Sequence, residues 1–290
     1  MKRIFLFVVT NLAIMVTLSI VLSLLGASGY IRGGQIDMGA LMAFCFVYGM
    51  GGAFISLLMS RVIAKWAMGV RLVDGRTGPA ELDRLYETVS RLTQQAQLPM
   101  PQVGFYDSPE VNAFATGPSK RKSLVAVSSG LLRRMRQEEI EGVLAHEVTH
   151  IQNGDMVTMT LLQGVVNAFV MFLARIVAFA VRQGSDSRNS YVLSFVVMIV
   201  LQIVLGMLGM LVVAWFSRAR EFRADAGGAA LAGRGNMIAA LRRLQDAKQL
   251  VDRSEPALAT LKINGARSWA SLASTHPPLE ARIRALEQLQ

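Results

Sequence analysis

Cysteine is almost absent from this chain of 290 residues: Cys45 stands alone, which excludes a disulfide framework and a cysteine-based zinc cluster. Histidine is nearly as scarce, with three in all, so a metal site would have to draw on a few imidazoles, Asp and Glu. Charge is also thin. Charged residues make up 17% of the chain, against about 25% in an average soluble protein. With 52% hydrophobic residues and a mean hydropathy of +0.40, intrinsic disorder, a collagen-like fibre and an ordinary soluble enzyme are poor fits. The charge that is present leans basic: 30 Lys and Arg against 20 Asp and Glu give a net +10. In so apolar a chain that excess reads first as positive flanks of membrane segments.

The hydrophobic excess sits in four segments. Residues 4–25, 38–60 and 191–216 contain no charged side chain, and 156–181 contains one, Arg175, near its end. Each has the roughly 20 apolar residues a helical span needs, and Arg175 is placed to snorkel toward the headgroups. Residues 4–25 follow Lys2 and Arg3. Their apolar run exceeds that of a cleaved signal peptide and reads as a retained anchor. Arg61 and Lys65 follow the second span, and Arg218, Arg220 and Arg223 follow the fourth. The turn between spans one and two has Arg32 balanced by Asp37, and the turn between three and four has Arg182, Asp186 and Arg188. The positive-inside rule then puts both termini, residues 61–155 and residues 217–290 on the cytoplasmic side. The expected organisation is 1–60 (two spans), 61–155 (a soluble region), 156–216 (a membrane hairpin) and 217–290 (a second soluble region).

Within the soluble stretches, Leu82, Leu85, Val89 and Leu92 recur at helical spacing over residues 80–97, before Pro99 and Pro101. Short strands are expected at 102–106, 111–116 and 123–127, with turns at Asp107-Ser108-Pro109 and from Gly117-Pro118 through Lys120-Arg121-Lys122. That basic run lacks interleaved aromatics, so it reads as a solvated loop or a headgroup contact and not as a nucleic-acid site. One or two helical turns should cover 129–135 and a longer helix 137–153, with Glu138 and Glu139 at its N-terminus to complement the dipole. Residues 226–290 should be helical with polar breaks, and a linker is expected at 252–256.

The chemistry lies in His146-Glu147-Val148-Thr149-His150. Residues four apart share a helical face, so both imidazoles can bind one metal ion. Glu147 projects beside the metal, where it can hold a water and take its proton. A catalytic zinc takes three protein ligands and leaves a position open. Glu221 and Asp225, again four apart, are the candidate carboxylates. An out-and-back membrane hairpin returns Glu221 to the side where His146 and His150 wait. The competing reading of Glu221 is a surface ion pair with Arg218 or Arg223.

With these motifs in hand, the chain resembles the membrane-bound zinc metalloproteases of the HtpX type, heat-shock proteases related to the CAAX prenyl proteases. The resemblance runs over nearly the whole length. Two N-terminal spans come first, then the His146–His150 motif with Asn153-Gly154-Asp155 behind it and a hydrophobic hairpin. Glu221-Phe222-Arg223-Ala224-Asp225 and Ser274-Thr275-His276-Pro277 follow. Thr149 stands where the family's motif usually has a smaller residue or Ser. The resemblance implies a mostly α fold with a small β-sheet, a zincin-like (gluzincin) domain on four transmembrane helices. It implies one Zn2+ per chain held by His146, His150 and Glu221, Glu147 as general base, and Asp225 orienting a ligating imidazole. Asp155 matches a family aspartate and reads equally well as a helix cap. Asn112-Ala113-Phe114 matches the edge strand on which such enzymes lay an extended substrate, or else Asn112 merely flanks a turn. His276 and Arg282 would support the negatively charged transition state, or Thr275-His276-Pro277 would simply cap the last helix.

The implied protein is a multi-pass zinc endopeptidase of the bacterial inner membrane. Its partners are polypeptides, membrane proteins among them, and the lipid bilayer, and it serves membrane quality control with self-cleavage. Three other readings stay open: a CAAX-type prenyl-protein protease, a metal transporter, and a non-catalytic zinc scaffold closed by a fourth ligand, His276 or Asp225. The orientation is directly testable. Reporter fusions after residues 30, 120, 186 and 290 are expected to read outside, inside, outside and inside, and an external reporter at 120 overturns the topology.

Overall fold

The structure, a computed structural model, describes residues 16–24, 29–32, 35–76, 79–184, 190–254 and 276–289. The first helix, α1, covers residues 16–24. A two-strand hairpin follows, β1 (Ile31–Arg32) and β2 (Gln35–Ile36), then α2 (Met38–Phe46), a π-helical turn (Val47–Gly51) and α3 (Gly52–Met68). Next come β3 (Arg71–Val73), α4 (Ala80–Gln95), β4 (Gln102–Tyr106), β5 (Ala113–Ser119), β6 (Lys122–Ser128) and α5 (Ser129–Arg134). Four long helices and a short one complete the order: α6 (Gln137–Asn153), α7 (Asp155–Gln183), α8 (Ser190–Ala232), α9 (Arg234–Ser254) and α10 (Leu279–Glu287). The fold is mostly helical with a small mixed sheet, as the sequence implies.

Backbone contacts divide the chain into two units, one of Met1–Leu57 with Thr158–Val213, the other of Leu58–Val157 with Ala214–Gln290. In the first, small residues let helices touch closely. A Cβ on Gly49 would lie 2.6 Å from the Ala168 nitrogen, and one on Gly164 would lie 2.6 Å from the Met50 sulfur. Among the described residues, three helices are long and apolar enough to cross a membrane: Met38–Met68, Asp155–Gln183 and Ser190–Ala232. Of the expected first span, 4–25, only residues 16–24 are described, as helix, and 4–15 and 25 lie outside the described residues. Arg175 is held by protein, with Nη1 on the Met171 carbonyl at 3.2 Å and its guanidinium 4.8 Å over the Phe44 ring. The ring's negative face supplies the guanidinium with a partner within the protein. At 43 residues, α8 is roughly 65 Å long, about twice the hydrocarbon thickness. The expected span 191–216 and the charged segment after it are therefore one continuous helix.

The second unit is built on a four-stranded sheet in the order β3-β4-β6-β5. β3 runs antiparallel to β4, β4 parallel to β6, and β5 antiparallel to β6. One face carries Val103, Val125 and Val127 against Leu85, Val89 and Leu92 of α4 and Val143, Leu144 and Val148 of α6. The other face carries Tyr106, Leu124 and Ala126, with Ala64, Val70 and Phe114 packed on them. A third cluster joins Met237 and Leu241 of α9 to Ile283 and Leu286 of α10.

The differences from the sequence reading are local and have local causes. β5 continues through Gly117-Pro118 to Ser119, because a register shift between Thr116 and Ser119 absorbs the dipeptide as a bulge. Gly117 sits at φ 144 with the Lys122 carbonyl where a Cβ would be, so only glycine fits. The turn shrinks to Lys120 and Arg121. α4 ends in a left-handed turn at Gln97 (φ 54), closed by the Leu98 N–H on Thr93 O at 2.9 Å, ahead of the prolines expected to stop it. β1, β2 and β3 are too short to leave a periodic signal. Pro256 of the expected linker lies outside the described residues, whereas α9 runs unbroken to Ser254.

Leu144 is fully buried on α6 between the sheet and the other helices. Leu144→Ala is expected to destabilise the second unit by about 2–5 kcal/mol, seen as a lower thermal midpoint of the detergent-purified protein. An unchanged midpoint would show that this core does not hold the helix.

Candidate metal centre

Helix α6 carries His146, Glu147 and His150. Its start is fixed by the Glu139 carboxylate, which accepts from the Arg136 N–H at 2.8 Å. Its end is fixed by Gly154 in the left-handed conformation (φ 69). The break turns the chain back at once, so Asp155 at the head of α7 reaches the His150 ring, Nδ1 to Oδ2 2.6 Å. Asp155 is buried. The structure thus gives it a partner that either sequence reading left open.

Helix α8 carries Glu221 and Asp225 one turn apart, and glycine brings them close to α6. A Cβ on Gly227 would lie 2.3 Å from the Thr149 methyl, and one on Gly228 would lie 3.1 Å from the His146 nitrogen. Thr149 bonds its hydroxyl to Ala145 O at 2.8 Å and turns its methyl into the space Gly227 leaves.

The result is a compact donor set. One ligand atom each from His146, His150 and Glu221 lie within 4.8 Å of one another. The two Nε2 atoms are 3.1 Å apart. Glu221 approaches His150 Nε2 at 3.4 Å and His146 Nε2 at 3.5 Å. Both imidazoles turn their other nitrogen outward to a carboxylate, His146 Nδ1 to Asp225 at 3.0 Å and His150 Nδ1 to Asp155 at 2.6 Å. An Nδ1–H bonded in this way leaves an Nε2 lone pair facing inward, the arrangement metal-bound histidines require. Two inward lone pairs and a carboxylate at such distances repel unless a cation or protons lie between them. The residues present therefore fit a divalent metal ion.

The charge balance agrees. Burial alone would lower the pKa of both imidazoles, but hydrogen bonds outweigh it. Asp225 and Glu221 raise His146, while Asp155 and Glu221 raise His150 to about 9. Burial works against the charged form of Glu221, yet hydrogen bonds from His146, His150 and His276 hold its carboxyl far below the usual range. Asp225 is likewise held down, against its burial, by Arg282 and His146. With 1% of its side chain exposed, Glu221 is no surface ion pair, although Arg220 approaches it at 3.4 Å.

The remaining candidates spread around this cluster. His276 bonds Glu221 Oε2 through Nδ1 at 2.9 Å and leaves 63% of its side chain exposed. Arg282 is buried and grips Asp225 with two bonds, Nε at 2.7 Å and Nη2 at 2.5 Å, while its Nη1 lies 3.5 Å from Glu221. Glu147 is half-buried on α6, between the two histidines in sequence. Asn112 is exposed just before β5, and Ala113 and Phe114 open that strand. Ser274 and Thr275 lie outside the described residues. The Arg282–Asp225 pair and the glycine contact were not foreseen. Only the adjacent Gly227-Gly228, just after Asp225, hinted at close packing.

A model described as Peptidase family M48 matches residues 79–290. The protease HtpX homolog of Bacillus velezensis is 53% identical over 294 residues, covering 99% of both chains. The chain belongs to peptidase family M48. Within the family it sides with HtpX. The protease HtpX homolog of Bacillus subtilis (strain 168) is 52% identical over 295 residues, and protease HtpX of Shewanella loihica is 50% identical over 294, each match covering 99% of both chains. The crystal structure of S. mikatae Ste24p is similar in fold, with a TM-score of 0.64 at 19% identity over 96% of this chain and 66% of that one. The resemblance drawn from the motifs is borne out: this M48 peptidase is a membrane metalloprotease.

The glycine contact generates a test. Gly227→Val should push α8 from α6 and weaken metal binding about 10–100-fold, the loss typical when groups that orient metal ligands are disturbed. Gly206→Val, with open space at its Cβ, should bind metal as the parent does. Equal metal affinity in both variants, measured against a competing chelator, would remove the contact from the site's construction.

Proposed function

We propose that this M48 peptidase is a zinc endopeptidase of the bacterial inner membrane that cleaves misfolded or damaged membrane proteins, and itself, at the cytoplasmic face. Residues 1–60 and 156–216 form its membrane part on four spans, and 61–155 and 217–290 its zincin-like catalytic part. The observation that carries the reading is the His146–His150–Glu221 donor set with Glu147 on the same helix as both imidazoles. Two imidazoles and a carboxylate are a common ligand set for catalytic zinc, leaving a position for water or substrate. Cytoplasmic orientation rests on the basic flanks of the spans.

When bound, zinc supplies a Lewis acid that polarises the scissile carbonyl and acidifies the attacking water. Glu147 accepts the water's proton and passes it to the leaving amine. Asp155 and Asp225 hold the ligating rings in orientation. Arg282 acts chiefly through Asp225, since its two shortest contacts go there. His276, anchored beside Glu221 and open to solvent, is the donor for the charge that develops on the carbonyl oxygen. The substrate lies along β5, an edge strand of its sheet among the described residues. Ser128 N–H bonds Asn112 O at 2.9 Å. By antiparallel alternation the backbone groups of Ala113 and Ala115 then point away from β6, available to an added strand. Such pairing is tolerant of sequence, which suits a protease that removes damaged chains.

Casein hydrolysis by the detergent-purified protein, lost with chelator and restored by zinc, is the expected behaviour, and a prenylated peptide assayed beside casein separates it from prenyl-protein processing. Glu147→Gln should retain zinc and lose turnover about 10²–10⁴-fold, the contribution of a general base. Glu221→Ala should lose zinc on dialysis against a weak chelator, whereas Glu280→Ala should not. Unimpaired hydrolysis by Glu147→Gln would remove the general-base role, and full zinc in Glu221→Ala would pass the ligand role to Asp225.

A further inference from the structure

The end of α3 and the start of β3 form a corner that is tightly built on its inner side. The Val70 N–H bonds Lys65 O at 2.9 Å across Gly69, which takes the left-handed conformation (φ 66). Ala64 and Val70 pack on the sheet face that carries Tyr106, Leu124 and Ala126. A Cβ on Gly104 of β4 would lie 2.5 Å from Val70 Cγ1, so the missing side chain seats the corner against the sheet. Lys65 Nζ adds a bond of 3.4 Å to Gln102 Oε1.

The outer side of the same corner is apolar. Val62 and Trp66, one turn apart on α3, are exposed, as are Met68 and Leu72, with Trp66 46% and Leu72 50% exposed. Leu72 pairs with Gly104 and so lies on the sheet face that meets α3. Among the described residues of the second unit, apart from α8 and Leu289, every exposed large apolar side chain lies between Leu58 and Leu72. Single exposed apolar residues are ordinary on a protein surface, but a group of them on a fixed frame marks a contact surface.

Three observations name what covers it. The corner continues an apolar helical run, Met38–Met68, of 31 residues. That run is roughly 46 Å long, close to the ~40–45 Å of a bilayer with its headgroups. Trp66 and Met68 at its end therefore fall at the headgroup layer, where tryptophan is favoured. Helical side chains lean toward the helix N-terminus, which turns Trp66 back toward the acyl boundary. The charge is of one sign: residues 38–73 hold Arg61, Lys65 and Arg71 and no Asp or Glu, which suits an anionic lipid surface.

We propose that the α3–β3 corner is a docking surface for an anionic bilayer: Trp66, Met68 and Leu72 enter the interfacial layer, and Arg61, Lys65 and Arg71 supply the positive field around them. The sheet is then held to the membrane at its β3 edge, the edge opposite β5. Lipid also covers a strand edge that would otherwise be open to pairing with other chains. The proposal rests on α3 ending a membrane span and not on the peptidase chemistry.

The test places single cysteines in full-length Cys45→Ala protein, which removes the chain's only cysteine. Leu72→Cys probes the corner, Met42→Cys the exposed face of α2, and Glu138→Cys the exposed start of α6. Each is labelled with a fluorophore and reconstituted in nanodiscs of phosphatidylcholine and phosphatidylglycerol, with a lipid spin-labelled high on its acyl chain as quencher. The label at 72 should be quenched about twofold or more beyond the label at 138, as a site in the interfacial layer requires. Quenching at 72 should fall when phosphatidylglycerol is omitted. Trp66→Gln with Met68→Gln should also lower it by about half at an unchanged thermal midpoint, since both side chains are exposed. Equal lipid quenching at 72 and 138 would overturn the proposal. So would a label at 72 shielded from a water-soluble quencher yet untouched by the lipid one, which would assign the corner to a protein contact. Quenching at 72 that ignores phosphatidylglycerol would overturn the anionic preference. An unquenched label at 42 would remove α2 and α3 from the bilayer, and the proposal would fall with that span while the metal centre stood.

Discussion

The closeness of α8 to α6 is the constraint on which the candidate metal centre depends. The three candidate ligands come from positions 146, 150 and 221, with two long apolar stretches between them in sequence. They meet because Gly227 and Gly228 let α8 lie against Thr149 and the backbone of His146. An ordinary side chain at either position would need the space that α6 occupies. A separation of one ångström is small for packing but large for ligands whose donor atoms must all reach one ion. The packing of the Thr149 methyl against Gly227 therefore sets the geometry of a strongly polar cluster.

Electrostatics then completes what packing begins. Each candidate ligand imidazole is backed by a carboxylate, and one of those, Asp225, is in turn held by the buried guanidinium of Arg282. Burying such a chain is costly unless each member is paired. Here Arg282 is anchored by α10, whose Ile283 and Leu286 pack on Met237 and Leu241 of α9. The last helix thus reaches the centre through one side chain, and its apolar stripe keeps that side chain in place. The same helix region brings His276 onto Glu221. A segment distant in sequence from the two histidines supplies much of their environment.

The sheet ends in β5, the strand proposed to take substrate. Its β5 edge lies beyond β6, and Ser128 fastens the entry to that edge by three hydrogen bonds to residues 110 and 112. The entry is therefore rigid in its main chain while the Asn112 side chain remains exposed. Ste24p shares this general fold with the chain, but the likeness says nothing of which polypeptides it takes.

Much of this was legible in the residues themselves. Helix α6 and strand β4 follow from local apolar spacing and their termini, and the long apolar runs follow from hydropathy, because those signals are written within a few residues of one another. The His146-Glu147-Val148-Thr149-His150 pattern carried the metalloprotease chemistry, since a helix puts residues four apart on one face whatever surrounds it. Other features had no local signature. Strand β3 has three residues, and its pairing with β4 is decided by the sheet. The bulge that carries β5 through Gly117-Pro118 depends on a partner strand. That Asp155 bonds His150 required the left-handed turn at Gly154, and that Arg282 grips Asp225 required two helices to pack across 57 residues of sequence. The sequence by itself determined which elements form and which residues can do the chemistry, because those are properties of short segments. Tertiary structure alone decided how they orient one another, because hydrogen bonds and close contacts between distant segments exist only once the chain has folded.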